Sequence, residues 1–444
     1  MDATALKAAL HAAERAGASE AEVIATRSVT FDVEVAKGEV ETLEVSESVG
    51  VGIRVLTADR RMGFAYSTDM AIGAESVAAA ACRNATTATP DEHHVLPVAA
   101  TISDDDWCEG DPARVATTDK VALARDLERL TLDADTRVTH VQDARCADVV
   151  YELTIANSRG MRRRYRTAYC SCSVVAAAAE DESDAERGYE FDFGRSFGAL
   201  RLEWVARRAA NDAVRCLGAK PCATKVMPVV LDNRVTAAFL RVIGPALRAD
   251  SVLKGKSLFA GRLGEVIASG AVTLVDQNDA VLGMNRAPFD GEGTSAERTV
   301  LIDRGVLRSY LHDTYTARRM GTQTTANAVR GGFQSMPEVG ATNCCIEAGG
   351  HALADLMSDA SEGLYVTETM GVHLADPVSG DFSFGASGLM IEAGRPGRPV
   401  RGVTVAGNIK TWLQNIVAVG DDLRFFGAYG GPSLLISQLM VSGE

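Results

Sequence analysis

The chain has 444 residues, of which 46% are hydrophobic and 23% are charged, and its formal net charge at pH 7 is −14. This length exceeds what one ordinary hydrophobic core holds, and the acidic charge argues against direct nucleic-acid binding because it repels phosphates. No apolar run is long enough for a membrane span, and the N-terminus lacks the basic and apolar regions of a signal peptide. We therefore expect a cytoplasmic protein whose nine cysteines are reduced.

The N-terminal region begins with an amphipathic helix. Leucines and alanines recur at helical spacing over residues 2–16, and residues 21–69 then alternate apolar and polar side chains. Turn-forming residues at 37–39 and 57–61 interrupt the alternation, which predicts an antiparallel meander. A second helix is expected to follow over residues 71–85.

Helical and strand-like patterns alternate again through the middle of the chain. Residues 117–135 predict a helix capped by Thr118 or Asp119, and residues 138–179 predict further strands. A last helix is expected over residues 202–217. Helices that alternate with groups of antiparallel strands predict an α+β fold in which the helices pack on the sheets.

The best linker candidate is GAKPCATK at residues 218–225, where small residues surround a proline. We expect the domain boundary here, between an N-terminal α+β domain over residues 1–218 and a C-terminal domain over residues 225–444. Short strand patterns separated by glycines fill the second domain. Because glycine tolerates the positive φ angles of bulges and tight turns, we predict a mostly antiparallel, barrel-like sheet there.

A basic run, RGMRRRYRTAYC, occupies residues 159–170 and has two explanations. It could be a patch that binds RNA, or its arginines could pair with acidic side chains of adjacent strands. An acid-rich segment follows at residues 179–194. We therefore favour the pairing of charges between strands.

The most unusual helical pattern is AAFLRVIGPALRAD at residues 237–250, directly after a strand-like segment. One face of this helix carries large apolar side chains, namely Phe239, Leu240, Ile243 and Leu247. Gly244 and Pro245 interrupt the pattern, because proline removes a backbone donor and glycine weakens the preceding turn. We predict a kinked helix, which could belong to an active site, to a binding site or to the core.

Several stretches of the second half resemble the TldD/PmbA family, and specifically its PmbA branch, which is also called TldE. Three of them are SLFAGRLGEVIAS at 257–269, GLYVTETMGVHLADPVSGDFSFGASGLMIEAG at 363–394 and VTVAGNIKTWLQNIVAVGDDL at 403–423. The resemblance covers most of residues 225–444 and extends more loosely to residues 48–69. An older description of this family is modulator of DNA gyrase.

The resemblance implies a role in proteolysis, because TldD-type subunits of this family carry zinc on an HExxxH helix and pair with TldE-type subunits that lack it. The two histidines bind the metal, the glutamate polarises its water, and a cysteine near the C-terminus resembles the third ligand. In the equivalent helix of this chain, Arg241 replaces the first histidine, Val242 the glutamate and Gly244-Pro245 the Gly-His pair. The equivalent of the cysteine region, residues 421–437, contains no cysteine. We therefore expect no zinc site and no other cofactor in this chain.

Other catalytic arrangements are weaker candidates. Ser387 lies in GASG, which lacks the GxSxG pattern of a nucleophile elbow and belongs to a predicted hairpin. His312 is expected to have a structural role or to line a substrate wall. Carboxylates in glycine-rich loops could act as acid and base or bind a cation, although such residues more often form turns. These carboxylates are Asp276, Asp279, Asp290 and Glu292.

The resemblance thus predicts a metal-free TldE-type subunit that pairs with a TldD-type zinc subunit, or forms a homodimer in isolation, and cleaves unstructured peptides as part of that complex. Extended peptides would add as strands to exposed sheet edges. The alternatives are a stand-alone peptide or amide hydrolase and a pure interaction protein. The residues expected at the peptide cleft or the partner interface are Arg241, Asn343, Thr367, Thr369, Asp381, Ser383 and Asn408.

Overall fold

The computed structural model describes residues 3–69, 73–98, 102–179, 185–376 and 378–443. The protein is α+β, as predicted, with 24% helix and 43% strand. The chain divides into two units. The first contains Met1–Leu217, Ala287–Thr294 and Arg330–Glu338, and the second contains Gly218–Arg286, Ser295–Val329 and Val339–Glu444.

The helices of the first unit are α1 (Ala3–Arg15), α2 (Gly73–Thr86), α3 (Thr117–Leu132) and α4 (Leu202–Val214). The helices of the second unit are α5 (Asn233–Ile243), α6 (Ala249–Leu253), α7 (Thr314–Met320), α8 (Leu353–Ala360) and α9 (Ile409–Gln414). The predicted cap of α3 is wrong, because Ala116 is the N-cap residue and makes no side-chain hydrogen bond. Thr118 and Asp119 lie inside the first turn of α3, where Asp119 still complements the positive end of the helix dipole.

The strands of the first unit are β1 (Glu20–Ala36), β2 (Glu39–Leu56), β3 (Met62–Ser67), β4 (Ile102–Trp107), β5 (Val138–Asn157), β6 (Arg162–Ala179) and β7 (Ala185–Gly194). They form a seven-stranded sheet in the order β3-β2-β1-β5-β6-β4, with β7 also paired to β6. Strands β1, β2 and β3 are consecutive and antiparallel, which confirms the predicted meander. Lys37 and Gly38 turn the β1–β2 hairpin with φ angles of 54° and 76°.

Arg164 and Arg166 of the basic run are paired with carboxylates. Strand β4 lies parallel to β6, and its register sets Asp104 beside Arg164. The guanidinium of Arg164 is 2.8 Å from the Asp104 carboxylate and 3.3 Å from that of Glu152, and Arg166 is 3.1 Å from Asp111. The charge pairing favoured from the sequence is therefore present, but its acids come from β4, β5 and the loop after β4 rather than from the acid-rich segment.

From residue 225 onward the strands are β8 (Lys225–Leu231), β9 (Leu274–Gln277), β10 (Arg298–Asp303), β11 (Val306–Leu307), β12 (Ala328–Val329), β13 (Glu338–Val339), β14 (Cys344–Ile346), β15 (Gly363–Met370), β16 (Asp381–Glu392), β17 (Arg395–Asn408), β18 (Ile416–Val419), β19 (Arg424–Phe426), β20 (Tyr429–Gly431) and β21 (Leu434–Ser442). A five-stranded barrel closes in the order β17-β16-β15-β8-β21, because β21 pairs back to β17. The barrel-like prediction is confirmed.

Glycine at position 388 lets the barrel wall bend. The pairing of β15 with β16 shifts register between Val366 and Glu368. A Cβ atom at Gly388 would lie 1.8 Å from the carbonyl oxygen of Tyr365, a separation that no side chain tolerates. The close backbone approach at this bulge therefore requires glycine.

A second sheet of this unit has the order β11-β10-β9-β14-β20-β19, so β19 is an edge strand. Helix α5 packs against β19, β20 and β15. Within the described part of the chain, no helix combines the length and the apolar character that crossing a membrane requires. The nine cysteines are free thiols, and most of them are buried.

Candidate functional site

Helix α5 is anchored at both its start and its apolar face. The carboxylate of Asp232 accepts a hydrogen bond from the Arg234 backbone N–H at the N-cap position, and a second from the Tyr365 hydroxyl at 2.5 Å. The predicted apolar face is buried, and the Phe239 ring stacks on Trp412 with a centroid distance of 4.7 Å. The opposite face of α5, which carries Arg241, is left for other contacts.

The helix ends where the sequence predicted a kink. Helix α5 stops at Ile243, and Gly244–Leu247 continue as a 3-10 turn. Gly244 has ordinary helical angles, φ −50° and ψ −44°, so its backbone does not need glycine. A Cβ atom there would lie 2.2 Å from the Tyr429 hydroxyl oxygen. Glycine is needed at this position because the Tyr429 side chain, from β20, fills the space against the helix.

The two segments that the family resemblance connects with zinc therefore lie side by side. Arg241 of α5 donates a hydrogen bond through Nη2 to the carbonyl oxygen of Phe426 in β19, at 3.1 Å. Five residues before Arg241, Thr236 packs so closely on Gly431 that a Cβ atom at Gly431 would lie 2.4 Å from the Thr236 methyl carbon. Helix α5 and the β19–β20 hairpin thus form one packed element of the site.

These residues do not fit a zinc ion. A zinc site needs neutral imidazole, thiolate or carboxylate ligands, whereas a guanidinium stays protonated and repels a cation. The side chains at the contact are Arg241, Phe426 and Tyr429, and burial raises the pKa of Tyr429 well above its usual value. Throughout the described residues, no three His, Cys, Asp or Glu side chains converge as a metal site would require.

A cavity of about 530 Å³ opens beside α5. Arg234, Arg241 and Thr369 provide its polar groups, and the ring of Phe426 also lines it. Its remaining lining residues are apolar or glycine, namely Ala238, Val242, Pro245, Gly371, Val372 and Ala375. The guanidinium of Arg234 is 5.9 Å and that of Arg424 is 4.8 Å from the centre of the Phe426 ring. Two guanidinium groups, one of them from a lining residue, therefore lie near the Phe426 ring.

Four of the residues predicted from the sequence lie at two places in the barrel unit. Arg241 and Thr369 line the cavity. Asp381 and Asn408 are paired across β16 and β17, and the Asn408 amide donates to the Asp381 carboxylate at 2.8 Å. Asn408 also caps α9 by accepting from the Lys410 backbone N–H. The second pair therefore joins two strands and begins a helix.

The other three predicted residues lie away from the cavity. Ser383 is exposed on β16. Thr367 is buried in the β15 bulge, with its hydroxyl 3.5 Å from the carbonyl oxygen of Ser387. Asn343 is completely buried, and its amide N–H groups bind the carbonyl oxygens of a loop that runs from residue 277 to residue 285. Asn343 thus fixes this loop from inside.

Sequence reasoning missed Arg234 and Phe426. The signal for Arg234 was available, because residues 234, 238 and 241 have the i, i+4, i+7 spacing of one helical face. Phe426 had no such signal, because its position beside Arg241 depends on how β19 packs against α5.

The buried carboxylate of Asp276 organises the second sheet rather than facing a cavity. Asp276 accepts hydrogen bonds from the Thr342 backbone at 2.8 Å, from the Thr342 hydroxyl at 2.5 Å and from the Asn327 amide at 2.8 Å. Burial raises the pKa of Asp276, and these hydrogen bonds act in the opposite direction. Its acceptor capacity is used within the protein, so a role in acid–base chemistry has no support in this geometry.

The remaining loop carboxylates also have structural contacts. Asp290 accepts from the backbone N–H groups of Glu292 and Thr294, both at 2.9 Å, which is the turn chemistry expected of it. Glu292 forms a buried ion pair with Arg54 at 3.1 Å. Among the residues that the structure describes, the Ser387 hydroxyl hydrogen-bonds to the Glu368 carboxylate, at 3.4 Å, and to no histidine that could act as a base.

The fold first defines a structural class: an α+β protein with a closed five-stranded barrel in its C-terminal region. Family models described as PmbA/TldA metallopeptidase domain 1, central domain and C-terminal domain match residues 21–86, 110–217 and 224–443. The chain is 30% identical over 438 residues to the metalloprotease PmbA of Escherichia coli O157:H7, which covers 96% of this chain and 92% of that protein. The protein belongs to the PmbA/TldD family, as the sequence motifs predicted.

Two further comparisons extend along the whole chain. The metalloprotease PmbA homolog of Haemophilus influenzae is 27% identical over 451 residues, covering 98% of this chain and 95% of that protein. The crystal structure of TldE from Thermococcus kodakarensis superimposes with a TM-score of 0.89 at 22% identity, covering 99% of this chain and all of that one. At this identity the second comparison shows a shared fold.

Proposed function

We propose that this chain is a metal-free PmbA/TldE-type subunit of a cytoplasmic peptide hydrolase, and that a TldD-type partner carries the zinc. The observation that supports the proposal is the contact between α5 and the β19–β20 hairpin. These are the segments that would supply metal ligands in a TldD-type subunit, yet here they meet through Arg241, Phe426 and Tyr429. Hydrolysis of a peptide bond by this family's chemistry needs a metal-bound water, so it would need a second subunit.

In this complex the chain would hold the peptide rather than cleave it. The edge strand β19 borders the cavity beside α5 through Phe426, so an extended peptide can run past both. Main-chain hydrogen bonding of an added strand tolerates many sequences, which suits an unstructured substrate. Arg241 and Thr369 would then contact the side chains or the end of that peptide.

The proposal is tested by assaying peptide hydrolysis with purified subunits. An unstructured, internally quenched peptide is incubated with this chain alone, with a TldD-type subunit from the same genome alone, and with both. We expect cleavage only in the mixture, inhibition by a zinc chelator, and a complex that elutes as one species in size-exclusion chromatography. In the matched control, the glutamate of the partner's HExxxH motif is replaced by glutamine. This change should abolish cleavage, while the two subunits should still form the complex.

The other outcomes separate the rival functions. Cleavage by this chain alone, without bound zinc, would indicate a stand-alone hydrolase and would overturn the proposal. A complex that forms without any cleavage would indicate a pure interaction protein. Full activity of the TldD-type subunit alone, unchanged on addition of this chain, would also contradict a shared active unit.

A further inference from the structure

Two arginines supply the charged groups among the described residues that line the cavity beside α5. Two of its lining residues, Arg234 and Arg241, are arginines, and none of the described residues that line it is Asp or Glu. Arg424 is not a lining residue, but its guanidinium lies 4.8 Å from the centre of the Phe426 ring. Because positive charges that line a concave site raise the local concentration of anions, this cavity favours a negatively charged ligand.

Arg241 is held by a backbone carbonyl oxygen rather than by a carboxylate. Its side chain is exposed, its one hydrogen bond goes to the Phe426 carbonyl oxygen, and it forms no ion pair with the described residues. Nearby Arg248, by contrast, binds the Asp250 carboxylate through two nitrogens at 3.1 and 3.3 Å. The bond to Phe426 orients the Arg241 guanidinium and leaves N–H groups available for an incoming acceptor.

We propose that this cavity binds a carboxylate of the peptide substrate and that Arg241 is the residue that recognises it. This inference rests on the proposed function, in which the chain holds a peptide. A guanidinium binds a carboxylate through two parallel hydrogen bonds. No described acidic side chain pairs with Arg241, so the ligand would not have to displace one. Ala238, Val242 and Val372 add an apolar wall that fits the aliphatic carbons next to the carboxylate.

Two carboxylates of a peptide have this chemistry, namely an acidic side chain and the C-terminus. The test uses fluorescein-labelled unstructured peptides of one sequence, which contains two glutamates, and measures their affinity for the isolated chain by fluorescence anisotropy. One peptide has both glutamates changed to glutamine, and another has an amidated C-terminus. The peptide that loses affinity identifies the source of the carboxylate, and an exposed charge-assisted hydrogen bond predicts a loss of about tenfold.

The variants R241Q and R241K test the residue itself. R241Q should bind the acidic and the neutral peptide equally, while R241K, which keeps the charge but not the planar fork, should retain part of the preference. The matched control is R395Q, because Arg395 is also exposed, belongs to the same unit and forms no ion pair with the described residues. Thermal unfolding of each variant should match that of the wild type, since both side chains are exposed.

Three results would overturn the inference: equal affinity of the wild-type chain for charged and neutral peptides, equal losses in R241Q and R395Q, or no binding of any peptide by the isolated chain. These measurements need neither zinc nor the partner. Failure of the carboxylate preference would therefore leave the subunit role intact, whereas hydrolysis by the chain alone would contradict the subunit role whatever the peptide preference.

Discussion

Replacing Gly244 with alanine should destabilise the C-terminal unit, although alanine is the better helix former. A Cβ atom at this position would lie 2.2 Å from the Tyr429 hydroxyl oxygen and 2.6 Å from Cε1 of the same ring, where ordinary contacts begin at 3.4 Å. The ring must therefore move by about an ångström, and such overpacking costs about 1–3 kcal/mol. Because the glycine has helical angles, alanine recovers about 0.4–1 kcal/mol by restricting the unfolded chain.

The expected net effect of Gly244→Ala is a loss of about 1–2 kcal/mol, which lowers the melting temperature by about 2–8 °C for a unit of this size. Differential scanning calorimetry measures the shift. Gly270→Ala is the matched control, because a Cβ at Gly270 would have no neighbour within 4 Å, and it should be neutral or slightly stabilising.

A double-mutant cycle with Tyr429→Leu identifies the cause. Leucine lacks the hydroxyl oxygen and the two ring carbons that approach Gly244, so alanine at position 244 should be neutral or stabilising in that background. The coupling energy between the two positions should be about 1.5–3 kcal/mol. Equal destabilisation by Gly244→Ala in both backgrounds would refute the steric reasoning.

Three further predictions concern buried polar groups, and urea or thermal unfolding checks each of them. Burial lowers the pKa of His312 to about 4, below its unfolded value of about 6.5, so the neutral form is favoured in the fold. Stability should therefore fall by up to roughly 3 kcal/mol as the pH drops from about 6.5 to 4, and His312→Asn should remove that part of the pH dependence. Asp276→Ala leaves buried donors of Thr342 without an acceptor and should cost about 2–4 kcal/mol. Arg54→Met removes the guanidinium that lies 2.8 Å from the buried Glu22 carboxylate and 3.1 Å from that of Glu292. Glu22 keeps its ion pair with Arg330, but two buried acids lose a cation, which should cost about 3–5 kcal/mol. If Asp276→Ala or Arg54→Met lowers the free energy of unfolding by less than about 0.5 kcal/mol, the contacts described for that residue are contradicted.

Local patterns were enough to predict much of the fold. Alternation of apolar and polar residues over residues 21–69, interrupted by turn-forming residues, predicted the meander, because a half-buried strand exposes every second side chain. The interruption at Gly244-Pro245 was also predictable, since proline cannot continue the hydrogen bonding of a helix. The cap of α3 was not, because a suitable polar residue one or two positions inside a helix is indistinguishable in sequence from the N-cap.

Features that depend on distant parts of the chain could not be predicted. The barrel closes where β21 pairs with β17, and no local pattern specifies that register. Residues 287–294 and 330–338 associate with the first unit although they lie far along the second half of the sequence. The boundary predicted at 218–225 assumed that each domain is one continuous stretch of sequence, and it stays a prediction.

The candidate site also combines features that a local pattern predicts with features that depend on distant parts of the chain. The family resemblance selected Arg241 and the loss of the zinc ligands, because both are visible in a single helix. The cavity also needs Phe426 and Thr369, which come from β19 and β15 and reach Arg241 only through tertiary packing. Asn343 illustrates the converse, because a polar residue in a family-typical stretch is buried and holds a loop.

The zinc content of purified chains tests the central claim most directly. After separate expression in zinc-supplemented medium and removal of loosely bound ions, inductively coupled plasma mass spectrometry measures zinc in this chain, in the TldD-type subunit and in their complex. We predict no stoichiometric zinc in this chain and one zinc ion per heterodimer in the complex, all of it contributed by the partner. One tightly bound zinc ion in this chain alone would contradict the assignment of a metal-free subunit.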